Sequence, residues 1–183
     1  MIDLDTIPRD AQTDDGRVNL KAMSEAELEN FAASIGQPSY RGRQLFHWMY
    51  GKGAGSFEEM TSLPKAFRQK LSENATIDSF EIETIQKGGD GTMKALFRLP
   101  SGKRAEAVLI PDIDERGDAR RLTVCVSSQV GCAMGCTFCA TGQMGFQENI
   151  SAGGIVDQVQ LMNDEALEHF GKPISNVVYM GMG

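Results

Sequence analysis

The residues LTVCVSSQVGCAMGCTFCATGQMGF, at positions 122–146, decide the fold of this 183-residue chain. The first seven predict a β-strand, and the glycine-rich remainder predicts a long loop that continues to residue 150. A helical segment capped by Ser151 follows, and the apolar run NVVYM at residues 176–180 predicts a second strand. The order strand, helix, strand indicates a parallel β-α-β unit, whose second strand we expect to be covered on both faces.

Residues 21–75, before this unit, have the periodicity of helices. Ser24 and Glu27 form a capping-box pattern, and apolar residues then recur at helical spacing until Pro38 ends the run. Two further short helices are expected, one after Pro38 and one that begins at Pro64. We therefore predict a small helical domain over this part of the chain.

Residues 76–118 change to a period of two. Apolar and polar residues alternate in three runs, which are separated by turns at residues 88–91 and 101–102. The segment predicts a three-stranded β meander that links the helical domain to the β-α-β unit over residues 119–183. Glu106 lies in the last run, RAEAVLIP, and a lone Glu in an apolar strand most often faces solvent on the open side of a sheet.

The charge balance argues against a simple basic nucleic-acid module. The formal net charge is −7, and the first 20 residues form an acidic tail. Residues 31–75 nevertheless carry six basic against three acidic side chains, so a local RNA contact that includes Arg41 and Arg43 remains open. No apolar run reaches the roughly 18 residues of a membrane span, and the amino terminus lacks a secretory signal. A cytoplasmic protein without membrane contact is expected.

Three of the four cysteines lie in the loop, at Cys132, Cys136 and Cys139, with the spacing C-x3-C-x2-C. In a protein without signs of an oxidising compartment, such crowding favours metal binding over disulfides. Zinc with Cys125 as a fourth thiolate is one alternative, although structural zinc sites usually combine two ligand turns. An iron-sulfur cluster that is held by three thiolates and keeps one iron open is the other alternative.

Four stretches together carry a family resemblance. They are CVSSQVGCAMGCTFCATGQMGF at 125–146, GTMKALFRLPSGKRAEAVLIP at 91–111, SAGGIVDQV at 151–159 and NVVYMGMG at 176–183. These stretches resemble the dual-specificity RNA methyltransferases of the radical S-adenosylmethionine superfamily, which act on adenine C2 in 23S rRNA and certain tRNAs. The resemblance covers roughly residues 20–183. It implies that residues 119–183 begin a (β/α) barrel that this chain leaves incomplete, and that the helical domain is an RNA-binding accessory domain.

The resemblance also implies roles for individual residues. Cys132, Cys136 and Cys139 match the ligands of a 4Fe-4S cluster, whose open iron binds S-adenosylmethionine. Glu106 matches a buried carboxylate that accepts the proton of C2, which reverses the interpretation from its strand position. Cys125 matches a cysteine that resolves a covalent protein–RNA intermediate by forming a disulfide with a second cysteine.

The end of the chain departs from the family pattern. Gly181, Met182 and Gly183 match the start of the GMGE motif, which helps to hold the amino group of the cofactor, but the Glu is not present. In the family, a cysteine near the carboxyl terminus carries the methyl group as a methyl-cysteine intermediate, and no cysteine follows Cys139 here. We therefore expect a fragment of a longer polypeptide that is inactive alone.

The resemblance implies 23S rRNA and tRNA as partners and an electron donor such as a flavodoxin. It does not distinguish between the two RNAs, and a monomer is the expected state. Two alternatives stay open at this stage. One is a zinc-stabilised RNA-binding module without redox chemistry, and the other is the sibling family that methylates C8 of the same adenine.

Overall fold

A computed structural model describes residues 7–8, 11–13 and 15–179 of the chain. The fold is mixed α/β, as the sequence predicts, and it divides into two compact units. The first unit contains the described residues up to 79 together with residues 151–153. The second unit contains residues 80–150 and the described residues from 154 onward.

The first unit is mainly helical. Its elements are strand β1 (Val18–Asn19), helix α1 (Glu25–Ser34), helix α2 (Tyr40–Phe46) with a π-helical turn (His47–Gly51), helix α3 (Lys65–Asn74) and strand β2 (Ala75–Thr76). The two short strands pair in parallel. Large apolar side chains are fully buried in its core: Leu20, Leu28, Phe31, Leu45, Met49, Met60 and Leu71. Burial of each stabilises the unit by about 1.5–3 kcal/mol before entropy is counted.

Helix α1 begins where the capping box predicts. The Ser24 hydroxyl accepts a hydrogen bond from the Glu27 main-chain N–H, and the Ser24 N–H donates to Oε2 of Glu27 at 2.7 Å. Pro64 stands directly before α3, where its fixed φ suits the entry to a helix and no N–H is needed. The predicted starts of these two helices are confirmed.

The second unit is a sheet with one long helix. In chain order its elements are β3 (Glu81–Lys87), β4 (Met93–Arg98), β5 (Arg104–Ile113), β6 (Ala119–Val126), β7 (Gln129–Val130), α4 (Ala140–Gln143), β8 (Glu148–Asn149), α5 (Ala152–Phe170) and β9 (Asn176–Tyr179). Five of these strands form one sheet, in the order β3-β4-β5-β6-β9. The pairs from β3 to β6 are antiparallel, and β6 pairs with β9 in parallel. The predicted meander and the predicted β-α-β unit are therefore both present and share one sheet.

The two faces of this sheet differ in burial. Alternate residues of β4, β5 and β6 are buried and share a core with Met162 and Ala166 of α5. The opposite face, called the open face below, carries polar and half-exposed residues. Strand β9 lies at the end of the sheet, and there Val177 and Tyr179 are 44% and 60% exposed. The expectation that β9 is covered on both faces is wrong for the described residues, because Val177 and Tyr179, on one of its faces, are exposed.

Candidate functional site

Glu106 and Cys125 lie on the open face, on neighbouring strands. Val108 of β5 stands directly opposite Cys125 of β6, and Glu106 is two residues before Val108. Since side chains alternate along a strand, Glu106, Val108 and Cys125 all point to the same face. Glu106 and Cys125 are therefore diagonal neighbours across the ladder. The structure thus brings together two of the residues that the sequence singles out.

The carboxylate of Glu106 has a cationic partner. Nζ of Lys94, on β4, lies 3.0 Å from Oε1 of Glu106. The side chain of Glu106 is 52% exposed, so the expectation of a buried carboxylate is corrected for this chain. Its exposure agrees with the interpretation from strand position, which expects a lone Glu to face solvent.

Cys125 is a free thiol of intermediate burial in the middle of the sheet. Its neighbours across the two ladders are Val108 and Val178. All four cysteines of the chain are described, and none of them forms a disulfide. The resemblance implies a disulfide between Cys125 and a second cysteine, and no such disulfide is formed among these four cysteines.

The loop with three cysteines, residues 127–150, is folded largely by its own hydrogen bonds. Strands β7 and β8 pair near its two ends, and the Cys132 N–H donates to the Gly145 carbonyl at 3.2 Å. The Cys139 N–H donates to the Cys136 carbonyl at 3.1 Å, and helix α4 begins directly after Cys139. The three cysteines are therefore held in a compact turn, which the sequence shows only as a glycine-rich loop.

Glycines make this turn possible at two close approaches. Gly131 has a φ of +72°, and a Cβ atom there would lie 1.8 Å from the Gly145 carbonyl oxygen. A Cβ atom at Gly142 would lie 2.9 Å from the Cys136 nitrogen. Only glycine lets the two halves of the loop approach this closely.

The three thiols are suitable ligands for a soft metal or an iron-sulfur cluster. Cys132 is buried, and Cys136 and Cys139 are partly buried. A tetrahedral zinc ion would hold its sulfur ligands about 4 Å apart, given Zn–S bonds of about 2.3 Å. Within the described ranges, the one group of three or more potential ligands whose atoms lie within 4.8 Å of one another contains no cysteine. The three thiols together therefore do not stand at the spacing of the ligands of one zinc ion in this structure.

That other group lies near the carboxyl end of α5 and consists of Glu165, Glu168 and His169. The Lys87 ammonium contacts Nε2 of His169, and Nδ1 of His169 lies 2.9 Å from the Glu165 carbonyl oxygen. Both ring nitrogens are thus already engaged. We interpret the group as an ion-pair cluster that joins α5 to β3.

Large apolar side chains of the cysteine loop are exposed. They are Met134, Phe138, Met144 and Phe146, and Phe138 is 90% exposed. Exposed apolar groups in such number are typical of a surface that contacts a ligand or another part of a protein. The loop therefore presents both its thiols and an apolar surface.

Sequence reasoning missed two residues next to the site. Lys94 has no motif that marks it, and its ion pair depends on the register of β4 and β5. Gln158 of α5 is fully buried and hydrogen-bonds the main chain of Ser127, where the cysteine loop begins. A glutamine in an amphipathic helix carries no sequence signal for such a contact.

The remaining candidate residues stand apart from this site. Gly181, Met182 and Gly183 lie outside the described residues. In the helical unit, Arg43 pairs with Glu29 at 3.0 Å on an exposed surface. Arg41 stacks on the ring of Tyr40, with its guanidinium carbon 5.0 Å from the ring centre.

Comparison with known proteins relates the chain to RNA methyltransferases. Residues 18–77 match the ribosomal RNA large subunit methyltransferase N-terminal domain. The whole chain is 57% identical to a probable dual-specificity RNA methyltransferase RlmN of Salinibacter ruber and covers 50% of that protein. A dual-specificity RNA methyltransferase RlmN of Nitratidesulfovibrio vulgaris is 48% identical over 88% of the chain and 45% of its own length.

The chain is similar over its whole length to a dual-specificity RNA methyltransferase. It spans about half the length of the curated relatives that it matches. The fold agrees with this similarity: a crystal structure of a radical SAM methyltransferase from Sphaerobacter thermophilus matches with a TM-score of 0.70 and 42% identity, over 90% of this chain and 47% of that one. The predicted partial radical SAM fold is thus confirmed. Across residues 7–8, 11–13 and 15–179 of the chain, the structure contains no helix with the length and apolar character that a bilayer span requires.

Proposed function

We propose that this chain supplies the cluster-binding part of a radical S-adenosylmethionine methyltransferase that modifies C2 of adenosine in 23S rRNA and tRNA. The observation that supports this best is the position of the three-cysteine loop. It leaves the carboxyl end of β6, two residues after Cys125, and Cys125 shares the open face with Glu106. Active sites of β-α folds form at the carboxyl ends of their parallel strands, where loops converge.

In this proposal Cys132, Cys136 and Cys139 each hold one iron of a 4Fe-4S cluster. The bound cluster keeps one iron open for the amino and carboxylate groups of S-adenosylmethionine and supplies the electron that cleaves this cofactor. The chain's own contribution is to orient the three thiolates in one compact turn and to present apolar side chains beside them. Phe138 and Met134 would limit the access of water to that surface when it is covered.

Glu106 is proposed as the base of the reaction. Once the methylene carbon has added to C2 of adenine as a radical, C2 must lose its proton and one electron; a carboxylate within reach can accept the proton, and the bound cluster would take the electron. Lys94 holds this carboxylate on the open face in the absence of substrate. The thiolate of Cys125 would then attack the sulfur that carries the methylene group. A sulfur–sulfur bond forms, the carbon–sulfur bond breaks, and the carbon keeps that electron pair and takes up a proton, so the adenine leaves the protein with a methyl group.

The helical unit is proposed to contact RNA. Arg41 lies in the first turn of α2, where the helix dipole does not favour a cation, so an anionic partner explains it better than helix stability does; Arg43 follows two residues later, beside Glu29. We further propose an electron donor such as a flavodoxin and a cytoplasmic location, both of which the family resemblance implies.

Anaerobic reconstitution with iron and sulfide tests the cluster. A brown protein that absorbs at roughly 400 nm, the range of thiolate-to-iron charge transfer, supports the proposal. A colourless protein that holds stoichiometric zinc would support the RNA-binding module instead. The reaction itself is tested in the complete polypeptide, meaning this chain followed by the part of the Salinibacter ruber relative that the match leaves uncovered. Product analysis of a 23S rRNA fragment distinguishes methylation at C2 from methylation at C8.

A further inference from the structure

Gln158 has an unusual environment for a polar side chain. It lies on α5, its solvent exposure is 0%, and its amide faces the main chain of Ser127. Oε1 of Gln158 accepts a hydrogen bond from the Ser127 N–H at 2.9 Å, and Nε2 donates to the Ser127 carbonyl, also at 2.9 Å. A buried amide is costly unless it is hydrogen-bonded, so this two-point contact determines the orientation of the side chain.

Ser127 is the residue at which the chain leaves the sheet. The ladder between β5 and β6 ends with the pair Val108 and Cys125, so the main-chain groups of Ser127 lie beyond its last pair. Gln158 supplies a partner for both of these groups. The Ser127 hydroxyl donates to the Glu106 carbonyl at 2.7 Å. Ser127, itself buried, thus connects helix α5, the strand that carries Glu106 and the start of the cysteine loop.

The other end of the loop returns to the same place. The Ile150 N–H donates to the Ser128 carbonyl at 2.9 Å. Ser127 and Ser128 therefore hold both ends of the loop that contains Cys132, Cys136 and Cys139. The cysteine turn is folded by main-chain hydrogen bonds, and these bonds run between residues of the loop itself. A shift of Ser127 would therefore strain this turn, which Ser101 and Lys103 also hold through Glu148.

We propose that Gln158 is a positioning residue for the cysteine loop. Its amide fixes the direction in which the chain leaves β6 and, through Ser127, the position of the thiols relative to Glu106. The inference rests on the proposed function, since it concerns the geometry in which the three thiols meet a cluster. Residues that orient metal ligands without touching the metal typically change metal affinity 10- to 100-fold when they are replaced.

The test compares two variants of α5 in the complete polypeptide. Gln158→Met keeps the volume of the side chain and removes both hydrogen bonds to Ser127. Met162→Ala, one turn further along the helix, removes fully buried packing and leaves the hydrogen bonds to Ser127 in place. Both variants are reconstituted anaerobically with iron and sulfide. Iron per chain is measured after gel filtration and during incubation with a chelator, and urea unfolding measures the stability of each variant.

We expect Gln158→Met to lose iron about ten-fold faster than the unmodified protein and to change the electron paramagnetic resonance signal of the reduced cluster. Met162→Ala should retain the cluster and its signal even if its unfolding midpoint falls as far as that of Gln158→Met. The inference is overturned if Gln158→Met keeps iron like the unmodified protein, or if iron loss follows stability alone in both variants. If the unmodified protein takes up no iron, the proposed function itself fails, which is a distinguishable result.

Discussion

Nζ of Lys94 lies 3.0 Å from Oε1 of Glu106, across the β4–β5 ladder. Lys94 is opposite Val108 in this ladder, so its contact with Glu106 is a diagonal one on the open face. Both side chains are about half exposed, at 43% and 52%. The pair therefore restricts the orientation of the carboxylate without being part of the core.

The first prediction concerns the strength of this pair. An ion pair in contact with solvent contributes about 0.2–1 kcal/mol to the free energy of unfolding. In a double-mutant cycle of Lys94→Met and Glu106→Gln, urea unfolding should give a coupling energy in this range. A coupling energy of several kcal/mol would contradict the finding that both side chains are about half exposed. A small value also means that Glu106 can be replaced without loss of the fold, which later experiments require.

The second prediction concerns the cluster ligands. If each loop thiolate holds a different iron, Cys132→Ala, Cys136→Ala and Cys139→Ala should each abolish cluster retention after anaerobic reconstitution. Cys125→Ala is the matched control, because Cys125 lies on β6 outside the loop, and it should retain iron like the unmodified chain. The measurement is iron and sulfide per chain together with the visible spectrum. Equal iron loss in Cys125→Ala would instead indicate a site with four thiolates.

A third prediction follows from Glu83, which joins three strands. Its Oε1 accepts a hydrogen bond from Nε of Arg98 and its Oε2 from Nε of Arg104, both at 2.7 Å. The hydrogen bond from Arg104, and then that from Arg98, holds the pKa of Glu83 below its usual range. A carboxyl group with a lowered pKa in the folded state stabilises the fold at neutral pH and loses this contribution as the pH falls.

The effect should appear in the pH dependence of stability. At both pH 7 and pH 5, the free energy of unfolding in urea should be larger for the unmodified chain than for Glu83→Gln. The difference should shrink below about pH 4.3, the ordinary pKa of Glu, and vanish once Glu83 is protonated in the folded state. Glu81→Gln, on the same strand, serves as the control and should show a smaller change. A difference that does not depend on pH would show that the two arginines do not act through the charge of Glu83.

Local patterns in the sequence predict the elements of the fold well. Ser24 and Glu27 mark the start of α1, because a capping box depends only on residues three positions apart. The alternation in residues 76–118 predicts the meander for the same reason. The spacing of the three loop cysteines is equally local, and it is enough to mark them as a candidate ligand set.

Contacts between distant elements are not accessible in this way. Gln158 and Ser127 are 31 residues apart, and nothing near either residue signals their hydrogen bonds. The partner of Glu106 depends on the strand register, and a shift of the register by one residue would turn every side chain of the strand to the other face. The exposure of Tyr179 depends on which strands are present beside β9. These features arise from packing, so periodicity alone cannot predict them.

The fourth prediction concerns RNA binding by the helical unit. Arg41→Gln with Arg43→Gln should weaken binding of a 23S rRNA fragment and flatten its salt dependence, since each lost phosphate contact lowers the slope of log K against log salt by about 0.7–0.9. Helix content should stay unchanged by circular dichroism. Lys65→Gln with Arg68→Gln, on α3, makes the same change in charge and should leave the slope nearly unaltered. Equal slopes for the first double variant and the unmodified protein would place the RNA surface elsewhere.

The last prediction concerns the order of events at Glu106 and Cys125 in the complete polypeptide. A base is needed only after the methylene carbon is bonded to C2, and a resolving thiol only after that adduct has lost its proton. Glu106→Gln and Cys125→Ala should therefore both retain the cluster, still form deoxyadenosine, and accumulate protein bound covalently to RNA. A denaturing gel detects the adduct as a band of lower mobility that nuclease removes.

Lys94→Met is the matched control for Glu106→Gln, because it removes the ion partner and keeps the carboxylate. It should turn over and leave little adduct, whereas Glu106→Gln should leave most of the protein in the slow band. If Glu106→Gln lost the cluster, its defect would arise before the base is needed, and the carboxylate would be structural. Normal turnover by Glu106→Gln without an adduct would show instead that the half-exposed carboxylate is an ordinary surface residue, as its strand position alone suggests.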